Sequence, residues 1–120
     1  MAKKEEIKRT IDKLSKVVKA SAVVSRDGLI IVADLPEDVN EETVAAMSAT
    51  LVGTAEQVCS ELKSGIFQRA IVEGKEGKII SIGAGPFAIL VCIASPESKL
   101  GLVLMEMSRA AEEIKKIIKE

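Results

Sequence analysis

Apolar residues fall at Ile7, Ile11, Leu14, Val17 and Val18, with Lys and Glu between them, and this helical spacing predicts a first helix over residues 4–19. At Ser21 the texture changes. Two β-branched runs, Ala22 to Val24 and Leu29 to Val32, flank Arg26-Asp27-Gly28, which predicts a β-hairpin closed by a tight type I′ turn at Asp27-Gly28. Leu35-Pro36-Glu37-Asp38-Val39 breaks the pattern, and Asn40 then caps a second helix that carries Glu41 and Glu42 in its first turn and runs to about Lys63, with Gly65 as the C-cap. Ile66 to Glu73 reads as a strand, Gly74-Lys75-Glu76-Gly77 as a hairpin loop, and Lys78 to Ile82 as the returning strand. Phe87 to Ala94 is uninterruptedly apolar and fits a central strand covered on both faces. Ser95 and Pro96 read as N-cap and N1 of a last helix whose stripe is Leu100, Val103, Met107, Ala110, Ala111, Ile114, Ile117 and Ile118.

The predicted order is helix, two strands, helix, three strands, helix. Five strands joined largely by hairpins give an α+β fold with a five-stranded antiparallel sheet, in which helices one and three cover one face and helix two the other. No repeat, linker or low-complexity stretch interrupts residues 1–120, so one domain is expected. Helix two has two unlike faces. Val44, Leu51, Ala55, Val58 and Leu62, with Ser48 in the same row, form the apolar one; Ala46, Ala49, Thr50, Gly53, Thr54, Gln57 and Ser60 form a row of small or neutral residues. A mid-helix glycine costs about 1 kcal/mol relative to alanine, so Gly53 on such a row points to the close approach of another backbone.

Composition mainly excludes. Although 48% of residues are apolar, Trp and Tyr are absent and only two Phe occur, which leaves few stacking platforms for single-stranded nucleic acid. With no histidine, Ser-His-Asp and Cys-His nucleophiles and His-bearing zinc sites are unavailable. The net charge of −1 is unevenly placed: residues 1–20 carry seven positive and three negative charges, residues 21–62 one and eight, and the remainder nine and seven. The basic N-terminal stretch is interleaved with apolar residues, as on a helix face, so no polyanion-binding block is present. No 18-residue apolar run or signal-peptide pattern occurs, and a cytoplasmic location is expected, with Cys59 and Cys92 as unbridged small hydrophobes.

No constellation points to catalysis. Gly77-Lys78 is followed by Ile79 and lacks the earlier glycine of a phosphate-binding loop, and Pro86 contradicts such a role for Gly83-Ala84-Gly85. Asp34, Glu37, Asp38, Glu41 and Glu42 lie on a loop and a helix start; a charged rim around a partner site suits them better than a metal site. Among Arg9, Arg26, Arg69 and Arg109, Arg26 at the hairpin tip reads first as an exposed polar turn residue and second as a group that reaches a partner; on the second reading Arg26, Glu37, Asp38, Glu41 and Glu42 form the candidate rim. Met105 and Met107 read as core fillers. No cofactor is expected.

The ordered combination of Val23-Val24-Ser25-Arg26-Asp27-Gly28-Leu29-Ile30-Ile31, Leu35-Pro36-Glu37-Asp38-Val39, the Ala- and Ser-rich second helix, Leu100-Gly101-Leu102-Val103, Glu106-Met107 and Arg109-Ala110-Ala111-Glu112-Glu113-Ile114 resembles the prokaryotic branch of the roadblock/dynein light chain family. The resemblance covers nearly the whole chain. It implies a roadblock/profilin-like sandwich and a homodimer in which second helices pack together and third strands pair, joining two sheets into one. The positions here that match that interface are Ala46, Ala49, Thr50, Gly53, Thr54, Gln57 and Ser60 on the helix, and Ile66, Gln68, Ala70 and Val72 on the strand. It further implies a non-catalytic scaffold for a small Ras-like GTPase, with no catalytic residue to carry over. The family's bacterial GTPase activators carry a long C-terminal extension; this sequence stops at Glu120. The alternative from the residues alone is a small-molecule sensor or general interaction module of the same sheet-and-helix class.

Overall fold

The computed structural model describes residues 2–119. Its elements are α1 (Lys3–Asp12), β1 (Ala20–Ser25), β2 (Ile30–Asp34), α2 (Glu41–Glu61), β3 (Arg69–Gly74), β4 (Gly77–Gly83), β5 (Ala88–Ala94) and α3 (Leu100–Lys119). The strands form one sheet in the order β2-β1-β5-β4-β3, with every neighbouring pair antiparallel. As the apolar run from Phe87 predicts, β5 is central. Ile89 and Val91 face α2, while Leu90 and Cys92 face the layer made by α1 and α3. The two layers differ in weight. The α1/α3 side buries Ile7, Ile11, Leu14, Leu90, Met107 and Ile114, whereas α2 meets the sheet through Ala45, Ser48 and Val52.

Several element ends differ from the spacing-based expectation. The first helix stops at Asp12 and tightens into a single 3₁₀ turn, Lys13–Lys16. There the Ser15 hydroxyl donates to the Asp12 carbonyl (2.8 Å), and Lys19 N–H already pairs with the Ile93 carbonyl at 2.8 Å, so sheet pairing takes the chain over before residue 19. Val17 and Val18 fit a helical stripe in sequence but pack from this turn. At the first hairpin only Gly28 has a positive φ (+89°), whereas a type I′ turn requires one at Asp27 as well. The Gly28 N–H bonds to the Ser25 carbonyl and the Ser25 N–H to the Leu29 carbonyl, which closes a three-residue loop.

Asn40 caps α2 as expected, its side-chain oxygen accepting from Thr43 N–H at 2.8 Å. At the other end Lys63, rather than Gly65, follows the C-cap in the left-handed region (φ +54°), with Lys63 N–H on the Ser60 carbonyl and Ser64 N–H on the Cys59 carbonyl. A Cβ is unfavourable there by about 1 kcal/mol. Lys63→Gly is therefore expected to stabilise the fold by about that amount in urea unfolding. The third strand begins at Arg69, so Ile66 and Gln68 precede it. The last helix begins at Leu100: Ser95 and Pro96 belong to a separate turn closed by Ser98 N–H on the Ser95 carbonyl.

Cys92 is buried in β5, and that burial pushes its thiol from 9.0 up to about 12. The unfolded chain ionises this thiol first, so stability is lost as pH rises through the unfolded value. Between about pH 9 and pH 11 this amounts to roughly 2 kcal/mol. Urea unfolding should show that decline in the wild type, and Cys92→Ala should remove that part of it.

Candidate functional site

Helix α2 is apolar on more of its circumference than the sheet covers. The buried line is Ala45, Ser48 and Val52, not the larger aliphatic row. Val44 and Leu51 are half-buried at its flank, while Met47 (59% exposed), Val58 and Leu62 are open. With Leu35, Ser48, Val72 of β3, Ile79 of β4, and Val91 and Ile93 of β5, the residues Val44, Met47 and Leu51 line an apolar cleft of about 310 Å³. Ser48 is its polar residue. A shallower groove, along Ala46, Met47, Thr50, Leu51 and Thr54, continues the cleft over the outer surface of the helix.

The row of small residues divides into two. Ala46 and Ala49 have a reason within the chain: Gly28 at the hairpin tip packs on them, and a Cβ there would stand 3.4 Å from Ala46 Cα and 3.8 Å from Ala49 Cβ. Thr50, Gly53, Thr54, Gln57 and Ser60 are exposed, and among the described residues nothing lies within 4 Å of a Cβ built on Gly53. Within one copy, the helix therefore carries the cost of a mid-helix glycine without a packing contact that requires it. Beside the Met47 and Leu51 flank of α2, β3 is the sheet edge, bonded to β4 on one side only. Ala70 is half-buried, and Ile71 and Val72 are 41% and 43% exposed. A six-residue edge with two exposed β-branched side chains is a template for further strand pairing.

The candidate rim is not one cluster. Glu37, Asp38, Glu41 and Glu42 are exposed around the start of α2, and among the described residues none makes a salt bridge. Arg26 lies instead against Glu56, 15 helical positions beyond Glu41 on α2 and about 22 Å away by helical rise. Instead of reaching outward, it turns back over the sheet. Its Nη1 donates to Glu56 Oε2 of α2 at 2.8 Å and its Nη2 to the Gly85 carbonyl at 3.4 Å, while its Nε has no partner among the described residues. A side chain at Gly83 would meet Nη2 at 2.9 Å, so the guanidinium fills the place that glycine leaves. With Ser60, Ile66, Phe67 and Gln68, the pair lines an open hollow in which Ile66 is 89% exposed. The sequence carries no evident signal for the Arg26–Glu56 pair, because partners 30 residues apart follow no local spacing.

The chain matches the roadblock/LC7 domain over residues 7–94. It belongs to the roadblock/LC7 family. Among curated proteins, an uncharacterized protein of Methanocaldococcus jannaschii, MJ1340, is 39% identical over 91% of this chain and 96% of its own length. Among solved structures, Myxococcus xanthus MglB superposes with a TM-score of 0.88 at 22% identity, covering 97% of this chain and 90% of that one. A roadblock/LC7 domain from Streptomyces avermitilis gives 0.80 at 19% identity over 91% and 98%. These two likenesses establish that the roadblock fold extends through α3, beyond the stretch matched by the family model. The prokaryotic roadblock resemblance and the helix-sheet-helix arrangement expected from the sequence are therefore both found.

Proposed function

We propose that this roadblock protein is a non-catalytic, homodimeric scaffold that binds a small Ras-like GTPase in the cytoplasm and modulates its GTP cycle or its localisation. The observation that carries the dimer is the apolar row of Met47, Leu51, Val58 and Leu62 on α2 beside Val72 on the adjoining sheet edge, continued over Thr50 and Thr54 toward the small-residue row that holds Gly53. Burying one such aliphatic side chain is worth about 1.5–3 kcal/mol, and an unpaired edge strand supplies directional hydrogen bonds beside it. A second copy presents the same surface, and a two-fold axis makes that surface self-complementary. The four exposed carboxylates at the start of α2 then flank the dimer seam as a charged rim for the GTPase. The family membership supports the GTPase as partner. The test is co-elution of the dimer with the cognate GTPase in its GDP and GTP-analogue states; binding that depends on the nucleotide is expected, and no binding in either state refutes the GTPase half.

Gly53→Leu isolates the dimer half. One copy has room for the new side chain, and a helix gains about 1 kcal/mol on losing a glycine, so the monomer should be as stable or more so. Overpacking between two α2 helices is expected to cost about 1–3 kcal/mol, raising the dimer dissociation constant about tenfold or more. Sedimentation across a concentration series measures this, and an unchanged constant places the interface elsewhere. The cleft favours a second reading, an apolar-ligand sensor, since its volume reaches the small-ligand range. A metabolite screen that raises the melting temperature of the Gly53→Leu protein would support that reading.

A further inference from the structure

On the opposite side of the sheet from α2, the turn joining β4 to β5 and the last turns of α3 enclose a crevice of about 210 Å³, lined by Ala84, Pro86, Phe87, Lys115, Ile118 and Lys119. Ala84 N–H on the Ala88 carbonyl (2.9 Å) closes the turn, and Phe87 stands at its tip, 65% exposed. It is one of only two Phe in the chain; the apolar run reads as a strand from Phe87, but β5 begins at Ala88 and leaves Phe87 outside the core. Gly85 (φ +88°) lets the stem of Lys115 lie directly across the turn; a Cβ there would be 3.0 Å from Lys115 Cγ. The crevice therefore has an apolar floor, Ala84 and Ile118, with a proline and an aromatic wall and two lysines on the rim.

The charge around it has one dominant sign. Lys3 Nζ reaches the Ile118 carbonyl at 3.4 Å, bringing the start of α1 beside the end of α3, and Lys116 is exposed in the same last turns. Among the described residues, Lys115, Lys116 and Lys119 form no salt bridge. The nearby carboxylates are Glu112 and Glu113, a turn earlier on α3, and Asp27 at the adjoining hairpin tip; Glu113 is held by Thr10 and Lys13. The lysines compensate the negative end of the helix dipole, but a single cation suffices for that, and the recess beneath them is not needed for it.

We propose that this crevice binds an acidic segment of a partner protein, which inserts one Leu- or Phe-sized side chain between Phe87 and Ile118 while its carboxylates meet Lys115, Lys116 and Lys119. The volume fits one such anchor, and the charge complementarity selects its flanks. A lipid surface is served by apolar groups projecting beyond the cations, whereas here the cations surround a recess. The site lies across the sheet from the α2 and β3 surface, so it is open in a monomer and in the proposed dimer alike.

The test titrates the isotope-labelled full chain with the acetylated peptide Glu-Glu-Asp-Phe-Asp-Glu-Glu, following backbone amide shifts. Saturable shifts at Ala84, Gly85, Phe87 and Ile118 are expected below about 1 mM peptide at low salt, and weaker binding at high salt. Replacing the peptide's Phe with Ala, or using Lys115→Glu with Lys119→Glu in the protein, should each weaken binding about tenfold or more. Both lysines are exposed, so the doubly substituted protein should keep its spectrum; Phe87→Ala, tested separately, should weaken binding while leaving the dimer intact. No saturable shift, equal shifts with a Lys-flanked Phe peptide, or shifts confined to α2 and β3 would overturn the proposal. So would phosphatidylserine vesicles that perturb these amides where the peptide does not.

Discussion

Met47→Glu combined with Val72→Glu is expected to yield a folded monomer. In one copy both side chains line the open cleft, at 59% and 43% exposure, so a carboxylate at either position still reaches water. Glutamate is as good a helix former as methionine, and at an edge strand the loss of valine costs at most about 1 kcal/mol. Across a dimer seam the outcome reverses. Each new carboxylate, repeated in the second copy by symmetry, would lose water without a counter-ion, a penalty of several kcal/mol per buried ion. The dissociation constant should therefore rise by about a thousandfold or more, which light scattering reads as a halved mass at micromolar concentration. A variant that unfolds would mean that the α2 flank is needed within one copy; a variant that stays dimeric would mean that the seam lies elsewhere.

Ile114→Ala is expected to do the opposite, lowering stability while leaving assembly intact. Ile114 is fully buried in the heavier α1/α3 layer, among Ile7, Ile11, Val103, Met107 and Leu90, and no rim of that cluster opens to the α2 surface. Truncation to alanine leaves a cavity that packed neighbours fill only partly, at a cost of about 2–5 kcal/mol, or roughly 10–20 °C in melting temperature. The native variant should still have the wild-type mass. Together the two substitutions separate the layers: one core holds the chain together, and the α2 layer, which presents Ala45, Ser48 and Val52 to the sheet, is left with apolar surface for a second copy.

Where local chemistry decides the structure, the sequence is a sufficient guide. Asn40 with Glu41 and Glu42 marks the start of α2, the Gly74 to Gly77 loop marks the second hairpin, and the Phe87 to Ala94 run marks the central strand. Misreadings occur where two elements share a pattern. Val17 and Val18 suit a helical stripe as well as the turn into β1, and only the long-range bond from Lys19 to Ile93 separates the two. On α2, the row with the larger side chains looks like the buried one, yet small residues let the helix approach the sheet, and Leu62 and Val58 remain exposed. Lys63 in the left-handed region and Arg26 folded back on Glu56 depend on the whole fold, and no local spacing announces them. The same holds for the crevice at Phe87, which joins two elements distant in sequence.

The dimer through α2 and β3 is tested most directly by combining mass with amide exchange on the wild-type chain. Light scattering at tens to hundreds of micromolar should give twice the chain mass of 12.8 kDa. On dilution toward the monomer, protection should fall in Glu41–Glu61 and Arg69–Gly74 and hold in Ala88–Ala94 and Leu100–Lys119. A mass of 12.8 kDa throughout, or a dimer whose concentration-dependent protection lies in α1 and α3, would contradict the account.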